Sequence, residues 1–290
     1  MTVPPYGEVT AGTDIPTCYR HPGRETWVRC TRCNRPICPD CMRDAAVGFQ
    51  CPDCVSAGQR SVRPPRTAFG GKVAARPGTV TMLLMAANAA IFVLTVASGA
   101  GLMGGGPSPV SDDLAMIPAA VAAGAYYRLL TSMFLHFGLV HIGFNMYALY
   151  LLGMQVETAL GRVRFITLYM LAGLGGAAAS YLFSPVDIRS GGASGAIFGL
   201  FAAYFVLARR VGADTRQILV LIGINLVLGF SLSGIDYRAH LGGLAVGAAV
   251  TATLVYAPTG RARTAVQLAG MIAAAVLIIV AVGVRTAQLA

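Results

Sequence analysis

The sequence predicts an all-α polytopic membrane protein that carries a small metal-binding head, and three observations point to it. Of 290 residues, 56% are hydrophobic and 12% charged, with a mean hydropathy of +0.65; soluble domains carry about 25% charged residues. Beyond residue 78, long apolar segments recur seven times. Ahead of it, all seven cysteines crowd between Cys18 and Cys54. This composition excludes a soluble globular protein, and it excludes disorder for most of the chain, because disordered segments combine low hydrophobicity with high charge. Lys and Arg total 22 against 12 Asp and Glu, a net charge of +10. Such a balance suits nucleic acid or an anionic bilayer surface, and hydropathy decides for the lipid bilayer as partner.

Residues 1–16 contain neither the basic stretch nor the apolar core of a cleavable signal peptide. They are expected to form a disordered tail, with the head at 17–56 remaining in the cytosol. The head's metal-type residues come as Cys18-x2-His21, Cys30-x2-Cys33, Cys38-x2-Cys41 and Cys51-x2-Cys54. Paired cysteines in a reducing compartment point to metal before disulfides. Four Cys or His ligands complete a tetrahedral structural zinc site, so these eight account for two zinc ions with none left over. A segment this short builds no apolar core of its own, and metal binding supplies its folding free energy. Spacing alone leaves open whether the pairs combine sequentially or alternately. Lys72 is the single lysine among the 22 basic residues, a bias that fits GC-rich coding and a bacterial plasma membrane.

Residues 57–78, with Pro64-Pro65, Gly70-Gly71 and five basic side chains, read as a basic linker that packs no core. Spans follow at about 79–98, 137–157, 164–183, 193–208, 216–233, 239–256 and 264–284. A helix needs about 20 residues to cross the hydrocarbon core. The spans at 193–208 and 239–256 are therefore expected to pack inside a bundle, and residues 99–135 to lie in the interface. With an inside N-terminus, the basic residues outside the spans, the head aside, divide twelve inside against four outside. That asymmetry sets the N-terminus in the cytosol and the C-terminus outside.

Polar residues inside apolar spans are costly and mark function. His136, His141, Asn145, Ser194 and His240 all fall near the starts of the second, fourth and sixth spans, which run from outside to inside, so all five share one depth. Ser194, in Gly191-Gly192-Ala193-Ser194-Gly195, stands where a helix begins, and there unpaired N–H groups and partial positive charge favour a developing oxyanion. Gly192 and its neighbours allow close approach of backbone and substrate. His240, in Ala239-His240-Leu241-Gly242-Gly243, is the candidate base for Ser194. Small residues at Gly195 and Gly199, and at Ala239, Gly243 and Gly247, would let the two helices come close enough for contact. His141 and Asn145 share a helical face and suit oxyanion donation better than zinc ligation. Asp236, four residues before His240, invites a triad, but as an outer-loop carboxylate it is expected to be solvated and is set aside.

The series Tyr127-Arg128-Leu-Leu-Thr-Ser-Met-Phe-Leu-His136, then His141 and Asn145, then Gly-Ala-Ser194-Gly, then Ala-His240-Leu-Gly-Gly resembles the rhomboid intramembrane serine proteases over about residues 79–257. The resemblance implies a six-helix core at 79–257 with an additional C-terminal transmembrane helix in 258–290. It also implies Ser194 as nucleophile and His240 as base of a dyad, and an oxyanion hole of His141, Asn145 and the Ser194 N–H. His136 would be a structural support, and catalysis would need no cofactor. Phe198 stands where members often have a tyrosine packed under the histidine, so ring stacking is kept. Single-pass membrane proteins, cleaved near the outer face, would be the substrates. The competing reading is a non-catalytic adaptor that binds transmembrane helices and recruits a cytosolic partner through its head. The head resembles a B-box-type zinc finger. That likeness implies alternate pairing, Cys18, His21, Cys38 and Cys41 on one ion and Cys30, Cys33, Cys51 and Cys54 on the other, and favours a cytosolic protein partner over nucleic acid.

Overall fold

The computed structural model describes residues 15–62, 65–104, 106–231 and 234–290. The expectation for the first sixteen residues therefore falls almost wholly outside the described chain. Two compact units divide at Pro64 and Pro65.

The first unit pairs β1 (Thr17–Cys18) with β2 (His21–Glu25) and β3 (Arg43–Asp44) with β4 (Phe49–Gln50), both antiparallel, and ends in α1 (Pro52–Ser61). Its interior consists of Cys18, Cys30, Cys38, Cys41 and Cys51 around Ile37. Cys51 is the N-cap of α1, where its Sγ accepts the Cys54 N–H at 3.3 Å. Since α1 runs to Ser61, the head extends past the expected boundary at residue 56.

The second unit holds every predicted span as a helix: α2 (Thr79–Ala97), α6 (Leu139–Leu160), α7 (Arg162–Phe183), α8 (Ser194–Arg210), α9 (Arg216–Ser231), α10 (Tyr237–Tyr256) and α11 (Arg263–Leu289). Between α2 and α6 lie the short helices α3 (Pro109–Leu114), α4 (Pro118–Ala122) and α5 (Arg128–Thr131). Among the described residues, five helices are long and apolar enough to cross a membrane: α2, α6, α7, α10 and α11. The seventeen-residue α8 is short but central, with Gly195 to Ala203 buried throughout. By contrast α10, expected to be marginal, reaches 20 residues because Asp236 caps it at Tyr237.

Polarity is inverted relative to a soluble fold. Helix α2 buries Thr81, Leu84, Asn88, Phe92 and Thr95 along one face and exposes Met82, Leu83, Val93 and Leu94. Lipid is as apolar as leucine, so small and polar side chains hold helices together and large ones face outward. Buried Glu157 on α6 shows the polar part of this: its carboxylate accepts the N–H groups of Val80 and Thr81 and the Thr81 hydroxyl, at 3.1, 2.8 and 2.9 Å, completing the start of α2. Helix α11 rests on α7 and α10 and exposes Ile272, Leu277 and Ile279, in keeping with an outward-facing addition.

Glycine contacts set the spacing of α7, α8 and α10. A Cβ on Gly243 would overlap the Gly195 carbonyl, and one on Gly247 would overlap the Gly199 backbone. Neither obstacle is a movable side chain. Gly243→Ala is therefore expected to force α8 and α10 apart, at a cost of about 3 kcal/mol, seen as a lower unfolding temperature of the detergent-solubilised chain. An unchanged transition would mean that the helices pack differently.

The expected linker is only partly a linker. Residues 57–61 continue α1, and from Pro65 the chain folds onto the second unit in a turn bridged between Arg66 and Lys72, with Phe69 buried. Gly71 lies against the Leu160 carbonyl, leaving no room for a side chain. Composition overlooked this docking because a lone phenylalanine anchors it, with the α11 side chains of Arg263 and Gln267 satisfying the turn's backbone.

Candidate active site and metal centres

Ser194 is the first residue of α8, following a loop that is held down at successive points. Ser190 exchanges two backbone hydrogen bonds of 2.9 Å with Met116, and the Gly192 N–H donates to the Ser132 carbonyl at 2.8 Å. Gly192 has φ +141°, a conformation that side chains disfavour. His136 supports the next residue. Its Nδ1 lies 3.3 Å from the Phe134 carbonyl and so carries the proton, leaving Nε2 to accept the Ala193 N–H at 3.5 Å.

His240 approaches from the first turn of α10, with Nε2 3.0 Å from Ser194 Oγ. The Phe198 ring, one turn beyond Ser194, stacks on the imidazole at 4.2 Å and 12°. Stacking restricts the imidazole to a narrow range of tilts, and Gly229 of α9 lies over its far edge, where a Cβ would sit 3.3 Å from Nδ1. With Nε2 facing the serine hydroxyl, the neutral ring carries its proton on Nδ1, a buried atom without a hydrogen-bond partner among the described residues.

His141 faces the serine from α6. Its Nδ1 accepts the Phe137 N–H at 3.3 Å, which puts the proton on Nε2. The point that a Cβ of Gly192 would occupy lies 2.9 Å from His141 Nε2 and 3.6 Å from Ser194 Oγ. A donor, a hydroxyl and a side-chain-free backbone thus border one small space. Asn145 is buried one turn further along, where its Nδ2 donates to the His141 carbonyl at 2.8 Å.

Asp236 departs from its expected solvated state. One oxygen accepts the Ala239 N–H at 3.2 Å as the N-cap of α10; the other accepts the hydroxyls of Ser180 and Ser190, the latter at 2.6 Å. The carboxylate thereby ties α7, the loop before Ser194 and the start of the His240 helix together. A triad role remains set aside, for a different reason: among the described residues its carboxylate bonds to this clamp and not to His240 Nδ1, which has no hydrogen-bond partner there. The Asp-x-x-Ala spacing carries an N-cap signal in the sequence, but nothing local marks Ser180, 56 residues earlier.

In the head, Cys18, His21, Cys38 and Cys41 form one cluster and Cys30, Cys33, Cys51 and Cys54 another, each with all ligand atoms within 4.8 Å of one another. Zinc–sulfur bonds of about 2.3 Å in a tetrahedron require sulfur–sulfur edges of about 3.8 Å and somewhat shorter nitrogen–sulfur edges. Cys33 and Cys51 are 3.8 Å apart, and His21 Nδ1 lies 3.2 to 3.8 Å from the sulfurs of Cys38, Cys41 and Cys18. Both donor sets can therefore hold a metal ion. Burial raises the Cys18 and Cys30 thiols, but backbone N–H groups directed at each sulfur outweigh it and bring both down to about 6, favouring the thiolate form a metal takes. Arg35 adds charge compensation at the second cluster, donating to Cys33 Sγ at 3.3 Å and pairing with Asp53 at 3.2 Å.

Residues 123–257 match the family model of the Rhomboid domain. Rhomboid protease GluP of Bacillus subtilis is 42% identical over 142 residues, covering 46% of this chain and 27% of that protein. Bacillus subtilis YdcA is 38% identical over 132 residues, 44% of this chain and 66% of YdcA. Rhomboid-type serine protease 2 of Emericella nidulans is 35% identical over 145 residues, 47% of this chain and 28% of the relative. The chain spans less than two thirds of the length of these curated relatives. The matched segment contains His136, His141, Asn145, Ser194 and His240 together with the glycine-packed α7, α8 and α10; the chain thus contains a Rhomboid domain.

Proposed function

We propose that this chain is an intramembrane serine endopeptidase that cleaves transmembrane segments of single-pass membrane proteins near the outer face of a bacterial plasma membrane. The 3.0 Å approach of His240 Nε2 to Ser194 Oγ carries the reading. Its similarity to a rhomboid protease and to a rhomboid-type serine protease supports it.

In this mechanism His240 Nε2 takes the Ser194 proton as Oγ attacks the scissile carbonyl. The new oxyanion is met by His141 Nε2–H, by the Asn145 amide and by the Ser194 N–H, which as the first in its helix has no partner within the helix. His240 then protonates the leaving amine, and water entering from the outer side releases the acyl group by the reverse sequence. Phe198 holds the imidazole in plane, and His136 and Gly192 hold the loop. A substrate helix must unwind to expose its peptide bond, since backbone in lipid is otherwise fully paired, so small or helix-weakening residues near the boundary favour cleavage. The twelve-to-four split of basic residues supports a cytosolic N-terminus and an outside C-terminus.

The head takes two structural zinc ions in this reading. Four protein ligands apiece leave no open position for chemistry, and the head serves to recruit a cytosolic protein.

The test is labelling of the purified chain in mild detergent with a fluorophosphonate serine-hydrolase probe. Covalent labelling at Ser194 is expected. Folded protein that stays unlabelled with probes of several sizes, in detergent and in lipid, would overturn the enzyme and favour the adaptor.

A further inference from the structure

Helices α7 and α11 begin beside each other, and the turn at 67–71 lies against both starts. Gln267 on α11 accepts from Arg164 Nε and Nη2 at 3.0 and 2.7 Å and donates to the Phe69 carbonyl at 3.1 Å. Arg263 Nη2 donates to the Ala68 carbonyl at 2.9 Å, and Arg66 Nη1 to the Gly70 carbonyl at 3.0 Å. Gly70 is thus ringed by three guanidinium groups. With φ +85° it has no side chain, and the point where its Cβ would sit is 3.5 Å from both Arg164 Nη2 and Arg263 Nη1.

Charge at this place is unbalanced. None of the ion pairs among the described residues includes Arg66, Arg164 or Arg263. Neither helix has an acidic residue in its first turn or a side-chain cap. Helix starts are themselves partly positive and favour anions, so two starts and three guanidiniums gathered together repel one another unless an anion sits among them. Each guanidinium has five N–H donors, most of them unspent among the described residues, where the buried Nε of Arg263 has no partner.

We propose that Arg66, Arg164 and Arg263 form a site for the phosphate of an anionic phospholipid headgroup. Planar donor forks match phosphate oxygens in pairs. The location selects lipid as the source: α7 and α11 are both apolar and long enough to cross a bilayer, so their first turns lie where headgroup phosphates lie. A bound phosphate bridges the 65–72 turn, α7 and α11, and fastens the chain entering α2 to the bundle.

Native mass spectrometry of the full chain, titrated with phosphatidylglycerol or phosphatidylcholine, tests this. One phosphatidylglycerol is expected to bind tightly, and Arg66→Gln with Arg263→Gln to weaken it about tenfold or more. Arg209→Gln with Arg210→Gln removes the same charge at the C-terminal end of α8 and should change binding less than about twofold. Arg66→Gln alone alters an exposed residue and serves if the double variant fails to fold; it should weaken binding in the same direction. Equal binding of the two lipids, or equal losses in the two double variants, would overturn the site in favour of diffuse surface charge. Inorganic phosphate that raises the unfolding temperature as much as phosphatidylglycerol does would overturn the lipid as its source.

Discussion

Ser194→Ala is expected to abolish labelling by the fluorophosphonate probe and to lower cleavage of a transmembrane substrate by about 10³-fold or more. His240→Ala should lose as much, because a serine hydroxyl without its base is barely nucleophilic at neutral pH. The double variant should be no worse than either single one, since residues acting as a unit are strongly non-additive. His141→Ala removes an oxyanion donor and leaves the nucleophile in place; a smaller loss of about 10²-fold is expected. Ser194→Ala deletes one hydroxyl and should leave the unfolding temperature unchanged. His240→Ala also deletes the ring stacked on Phe198 and should lower it slightly. Substantial cleavage by a folded His240→Ala chain would remove His240 as the base.

Metal loss should have the second large effect, confined to the head. Its interior is made of cysteines around Ile37, so without metal little apolar burial is left to hold β1 to β4 and α1. Structural zinc contributes about 10–16 kcal/mol of apparent binding free energy in small fingers, far more than this core can supply. The full chain is expected to carry two zinc ions by elemental analysis. Cys38→Ser or Cys51→Ser should each remove one, and chelation should expose the head to proteolysis before the membrane unit. Two ions retained in the Cys51→Ser chain would break the assignment of Cys30, Cys33, Cys51 and Cys54 to one site.

Much of the architecture was legible because membrane hydropathy is a local signal: 19 apolar residues announce a span whatever they later touch. The predicted segments 79–98 and 164–183 match Thr79–Ala97 and Arg162–Phe183 almost to the residue. The metal-ligand pairs were legible for a similar reason, since ligands separated by two residues are short-range chemistry, whereas which pairs share a cluster depends on how the head folds. The turn at 65–72 was not. Its basic, Pro- and Gly-rich composition reads as tether, and its anchors, Leu160, Arg263 and Gln267, are distant in sequence. Asp236 was misread likewise, because a carboxylate beside a loop looks solvated until Ser180 and Ser190 are seen to turn towards it.

By itself, the sequence determined that the chain is a helical membrane protein of the observed spans with a cysteine-built head, because apolar runs and ligand spacing are properties of neighbouring residues. It also brought out Ser194 and His240 as candidates, through polar side chains in apolar helices. Tertiary structure alone decided their meeting at 3.0 Å across 46 residues, the tautomers of His136 and His141, and the clamp at Asp236. Those depend on how closely α8 and α10 approach, and that distance is set by glycine backbones in mutual contact, which no single stretch of sequence contains.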